Sequence, residues 1–125
     1  MRPNELETAV LNYLFRDPEL AFVRAKVDFK RVTVTERSMT GAGFLTDFER
    51  SDELKIFEDG VSLRWGKVGA RLNASKLETG YLVYVDDGYL TAVEGYTYGE
   101  DWPNEITSVE TYDLDLGTEL GSGVT

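Results

Sequence analysis

Gly80-Tyr-Leu-Val-Tyr-Val-Asp-Asp-Gly-Tyr-Leu-Thr-Ala-Val-Glu94 sets Asp87-Gly88 between two runs of β-branched, aromatic and aliphatic residues. A type I′ turn needs positive φ at both central positions, which Asp and Gly tolerate, and its twist matches that of paired strands, so the stretch reads as a two-residue β-hairpin. That turn predicts the pairs Val85 with Leu90, Val83 with Ala92 and Tyr81 with Glu94. Val83, Val85, Leu90 and Ala92 would then share one face, and Leu82, Tyr84, Thr91 and Val93 the other. Both sets are largely apolar. This predicts a central strand pair covered on both sides, by helices on one and by a curled sheet edge, a loop or another subunit on the second.

Working outward, Ile106–Leu116 reads as a final strand behind Pro103, and Gly117–Thr125, with no large side chain after Leu120, as a flexible tail. Upstream, Val61–Trp65 and Val68–Leu72 read as two short strands or one bent strand, with Gly66 and Gly69 marking a bulge. Residues 43–50 alternate Phe44, Thr46 and Phe48 against Leu45, Asp47 and Glu49, as a strand after the turn Thr40-Gly-Ala-Gly43 does. From Phe29 to Arg37, Val32 and Val34 alternate with Thr33 and Thr35, which predicts another strand. Before it the period is helical: Leu6, Ala9, Val10, Tyr13 and Leu14 lie on one stripe of a helix from Pro3 or Asn4 to Arg16. Asp17-Pro18 then reads as an N-cap and first position of a short second helix to Lys26, with Leu20, Val23 and Val27 inward.

Helices followed by an uninterrupted run of strands predict a single α+β domain over residues 1–116, with one or two N-terminal helices packed on an antiparallel sheet of five or six strands. The alternative is a cystatin-like or NTF2-like half-cone, in which a curved sheet wraps a long helix around a pocket. No internal repeat or linker divides the 125 residues.

The chain has no Cys and no His. Disulfides, thiol nucleophiles, Cys- or His-built metal sites and the commonest general base are thereby excluded. No cofactor is expected, and no EF-hand spacing is present. Gly41-Ala-Gly43 lies between strands rather than opening a helix, so it is no phosphate loop. Carboxylates remain the available acid/base groups, and Glu94, expected opposite Tyr81 on an apolar strand face, is the one with a desolvating setting. Hydrogen bonding of a buried Glu by Tyr hydroxyls explains it equally without catalysis.

The formal charge of −10 is unevenly placed. Residues 1–75 carry 12 basic and 12 acidic side chains, whereas residues 76–125 carry only Lys76 against 11 carboxylates. Such a field repels phosphate backbones and argues against nucleic acid as partner. Its natural complement is a basic protein, although scattered acidic side chains also serve as a solubilising face. Charges in Met1-Arg-Pro-Asn-Glu-Leu-Glu7 and the absence of a long apolar run argue against a signal peptide or a membrane span, and we read the chain as cytoplasmic. Tyr96-Thr-Tyr-Gly-Glu-Asp-Trp-Pro103 joins large rigid aromatics to acidic neighbours, the composition of interface anchors. Glu94, Tyr96, Tyr98, Glu100, Asp101, Trp102 and Glu105 are therefore the candidate interface, against the plainer alternative that Trp102 plugs the base of the core.

Gly41-Ala-Gly-Phe-Leu-Thr-Asp-Phe48, the Gly80–Leu90 segment and Val93-Glu-Gly-Tyr-Thr-Tyr-Gly-Glu-Asp-Trp-Pro103 together resemble a group of small uncharacterised bacterial proteins over roughly residues 38–112. That group pairs a glycine-phenylalanine-threonine segment with a C-terminal LEGYTYGEDWP-like segment, in which this chain has Val93 in place of Leu. The resemblance brings no established activity with it. In size and charge the chain is also similar to immunity proteins that neutralise basic toxins, by type and not by motif. The expected function is a non-enzymatic, acidic protein-binding module, with immunity toward a basic toxin as its specific form. Two alternatives accompany it: a small-molecule pocket or weak acid/base enzyme using Glu94, and a homo-oligomeric structural protein dimerising through Leu82, Tyr84 and Val93.

Overall fold

The computed structural model describes residues 1–114, in which two helices lie on one face of an open six-stranded antiparallel sheet. The helices are α1 (Glu5–Leu14) and α2 (Ala21–Lys26). The strands are β1 (Val34–Met39), β2 (Gly43–Phe48), β3 (Leu63–Leu72), β4 (Leu77–Asp86), β5 (Tyr89–Thr97) and β6 (Val109–Asp113), in the spatial order β1-β2-β5-β4-β3-β6. The α+β expectation holds. A half-cone needs a sheet wrapped round a long helix, whereas here the sheet is open and α1 has 10 residues.

Helix α1 begins where a capping box forms. The Asn4 side chain accepts from the Glu7 amide at 2.8 Å, and Glu7 accepts from the Asn4 amide at 2.9 Å, which satisfies two donors that the first turn leaves unpaired. Asp17 accepts from the Glu19 amide and Pro18 opens a 3-10 turn leading into α2, as its missing N–H allows. The buried stripe of α1 differs from the expected one. Leu6, Val10 and Leu14 are inward, but Leu11 and Glu7 are fully buried while Ala9 and Tyr13 lie at the margin.

Glu7 explains that roll. Its carboxylate, with no solvent exposure, accepts from Arg37 Nε and Nη2 at 2.7 Å each and from Thr46 Oγ1 at 2.5 Å. A bidentate guanidinium and a hydroxyl together occupy its lone pairs, which is the condition under which a buried charge is tolerated. α1 is thereby tied to β1 through Arg37 and to β2 through Thr46.

The hairpin turn is as read: Asp87 has φ 52°, Gly88 has φ 84°, and Val85 pairs with Leu90. Beyond Leu90 the expected register fails. Thr91 is an extra residue whose hydroxyl donates to the Tyr84 carbonyl, and the pairs become Tyr84 with Ala92, Val83 with Val93, Leu82 with Glu94 and Tyr81 with Gly95. The bulge exchanges the faces of everything after it. Val93 enters the core with Leu90, Val83 and Tyr81, and Glu94 leaves it. Without the bulge a carboxylate would face the helices and a valine the open side, which is the arrangement the desolvation of charge disfavours.

β3 is one bent strand with its irregularity between Trp65 and Val68, as Gly66 indicated. β1 starts at Val34 rather than near Phe29, because Arg31 closes a turn back to Asp28. β6 starts at Val109 rather than at Ile106, because Asn73 holds the preceding residues. The expectations for Leu116 and the 117–125 tail lie outside the described residues.

Two predictions test this packing. Val93→Ala should cost about 2 kcal/mol in urea denaturation, whereas Glu94→Val should stay within about 1 kcal/mol; equal costs would refute the bulge. Arg37→Met, which strands a fully buried carboxylate, should cost about 3–5 kcal/mol, and the double variant Glu7→Gln/Arg37→Met should recover most of that loss.

Candidate interface

The seven candidate residues divide between two surfaces. Glu94 and Tyr96 lie on the open face of the sheet, half-buried, with Tyr98 following at 55% exposure and its ring edge-on to that of Tyr96, 5.6 Å between centroids. Trp102 lies round the end of the sheet on the helix side, where its ring meets Phe44 edge-on at 5.3 Å. Glu100, Asp101 and Glu105 are exposed on the loop between β5 and β6. Val93, expected on a dimerising apolar patch with Leu82 and Tyr84, is fully buried beneath the helices, because the Thr91 bulge turns it inward.

On the open face a single cross-strand row reads Tyr112, Gly69, Gly80, Tyr96 from β6 through β3 and β4 to β5. A Cβ on Gly69 would stand 2.7 Å from the Tyr112 ring, and one on Gly80 2.5 Å from the Tyr96 hydroxyl. The two rings therefore rest on bare backbone, leaning in from either side of the glycine pair. Tyr112 donates to Glu78, which Arg71 Nε also reaches at 3.3 Å, and Tyr84 donates to Glu94. Partial burial, then the Glu78 carboxylate, pushes the Tyr112 phenol up to about 12. Tyr98 is also pushed up to about 12, by burial first and then by Tyr96. The Glu94 bond raises Tyr84, and the Tyr112 hydroxyl lowers Glu78.

The second surface is a groove of about 710 Å³ between the first turns of α1 and the segment 102–109. Leu6, Ala9, Met39, Trp102, Ile106 and Val109 supply its apolar walls, and Glu5 lies at its side. The loop that forms one wall is pinned. The Trp102 amide donates to the Gly41 carbonyl at 2.7 Å, and Asn73, held at φ 67°, donates from Nδ2 to the Glu105 carbonyl and accepts at Oδ1 from the Thr107 amide at 2.7 Å. Another cleft, about 760 Å³, lies beside the end of α1 and is lined by Trp65, Leu20 and the Arg16–Asp113 ion pair. Neither is lined by Glu94 or Tyr96.

Four of the nine carboxylates in residues 76–114 are in ion pairs within the fold. Glu78 pairs with Arg71, Asp86 with Arg50, Glu110 with Lys76 and Asp113 with Arg16, while Asp87 accepts from the Gly60 amide. Among the described residues, Glu100, Asp101 and Glu105 are in no ion pair. Of the other two unpaired carboxylates in residues 76–114, Asp87 is held by the Gly60 amide and Glu94 by the Tyr84 hydroxyl, so three of the five unpaired charges lie on the loop that walls the groove. No three carboxylates converge as a metal site among the described residues, and no helix is long and apolar enough to cross a membrane.

The residues that sequence reasoning missed here are Asn73, Met39 and the Glu7–Arg37 pair. Asn73 sits in a strand-to-strand turn where Asn accepts positive φ, a signal legible in principle; the other two depend on which segments the sheet brings together. No family model matches the chain, and neither a curated protein nor a solved structure matches it.

Alkaline titration tests the open face. Because the folded Tyr112 keeps its proton to about 12 against 10.0 for an unperturbed phenol, its contribution is complete below pH 10 and is lost as pH rises toward 12. Tyr112→Phe should remove one late-ionising phenol from the ultraviolet titration and flatten the fall in stability over that interval; an unchanged titration would contradict the assignment.

Proposed function

We propose that the chain is a non-catalytic binding module for a basic protein, with neutralisation of a basic toxin, in the manner of immunity proteins, as its specific form and the cytoplasm as its setting. The observation that carries this reading is the distribution of unpaired charge. The fold pairs Glu78, Asp86, Glu110 and Asp113 with its own cations and occupies Asp87 and Glu94 with the Gly60 amide and the Tyr84 hydroxyl, whereas Glu100, Asp101 and Glu105 are exposed and in no ion pair on the loop that carries Trp102. Opposed charge accelerates encounter, and partly buried aromatics hold the complex once formed. A pinned loop supports the same reading, since it loses little freedom on binding. The acid/base alternative draws little support from Glu94, whose carboxylate is occupied by Tyr84 on the open face.

The test is capture of a partner from the source organism followed by salt-dependent kinetics. Glu100→Gln/Asp101→Asn/Glu105→Gln should slow association about tenfold at low salt with dissociation nearly unchanged, and Trp102→Ala should accelerate dissociation at a cost of about 2 kcal/mol. Capture of an acidic partner, or identical kinetics for the charge variant, would overturn the reading.

A further inference from the structure

We infer that the groove between α1 and the 102–109 segment seats one apolar side chain carried by a basic segment of the partner, so that recognition requires an aromatic or long aliphatic anchor flanked by Lys or Arg. This deepens the basic-partner reading and rests on it.

The groove combines its apolar walls with the neutral polar side chains of Asn4, Asn104, Thr107 and Ser108 and one carboxylate, Glu5, and two further carboxylates lie next to it along the loop. Met39, 60% exposed, lines the groove together with Trp102, Ile106 and Val109. An exposed Met is an adaptable contact, and a half-buried Trp is a rigid one. No Lys or Arg lines this groove, in contrast to the cleft at the other end of α1, which holds Arg16 and Lys67. Glu5 stands at its side, and the unpaired Asp101 and Glu105 flank Trp102 and Ile106 along the loop. A purely apolar ligand would leave those carboxylates without complement, and a purely cationic segment would leave Met39 and Trp102 exposed. A segment with both properties satisfies both. The pinning of the wall by Gly41 and Asn73 means that the groove exists before the partner arrives.

Fluorescently labelled peptides test this with the full chain. The probes are a Lys/Ser peptide with a central Phe, the same peptide with Ser for Phe, and the Phe peptide with Gln for Lys, compared by anisotropy. The basic Phe peptide should bind about tenfold tighter than the basic Ser peptide, as burial of an apolar side chain implies. Ala9→Phe, which fills the groove from a marginal helix position without adding charge, should abolish that difference while the Ser peptide binds as before; circular dichroism checks that the variant is folded. Glu100→Gln/Asp101→Asn/Glu105→Gln should weaken both basic peptides together. Equal binding of the two basic peptides would overturn the anchored groove and leave the basic-partner reading standing. Binding of the neutral Phe peptide as tight as that of the basic one would overturn the basic-partner reading. Failure of every peptide would overturn both, and self-association that Ala9→Phe abolishes would assign the groove to a second copy of the chain instead.

Discussion

A carboxylate enclosed without any solvent contact must be given a cation and a full set of donors, and Glu7 obtains them from Arg37, Thr46 and the Asn4 amide. That requirement orients much of the molecule. It fixes the rotation of α1 about its axis, since Glu7 must face the sheet, and it fixes the height of the helix, since Arg37 and Thr46 are cross-strand partners on β1 and β2. Ala9 is pushed to the margin and Leu11 into the core. The groove beside Trp102 is a by-product of this placement, because the turn that carries Glu7 also carries Glu5, Leu6 and Ala9.

The sheet answers a complementary constraint. β4 and β5 are apolar on both faces, yet helices cover only one. A single inserted residue, Thr91, sorts the side chains, sending Val93 toward the helices and Glu94 toward the open side. The open face is then finished by tyrosines: the rings of Tyr112 and Tyr96 lie on Gly69 and Gly80, and the hydroxyls of Tyr112 and Tyr84 engage Glu78 and Glu94, so that an apolar surface is replaced by a polar, internally bonded one.

Legibility in the sequence followed the range of the interactions. The hairpin turn, the Asp17-Pro18 helix start, the bend in β3 and the α+β order of elements depend on neighbours in the chain, and all were readable from period and turn chemistry. The register past Leu90 was not, because Thr91 carries no mark of a bulge and both alternating sets are apolar. The candidate segment was found by composition, but its division between two surfaces was not, since that depends on where β5 ends and on the hold of Gly41 and Asn73 on the following loop. Glu7 was unreadable as a core residue for the same reason: its partners lie on strands far along the chain.

The strand order also has a kinetic consequence. β3, β4 and β5 are consecutive neighbours, and β1 and β2 form their own hairpin, so both units can assemble from local contacts. Joining them requires β2 to find β5, pairing Gly43 with Tyr96 across the intervening meander, and the closure of that long loop is the entropically expensive step. Loop-closure entropy alone therefore makes the seam between β2 and β5 a late pairing on folding. Met39 belongs to the β1–β2 side of that seam and Ile106 and Val109 to the side of β3 and β6, so the groove they line is complete only when the seam has closed.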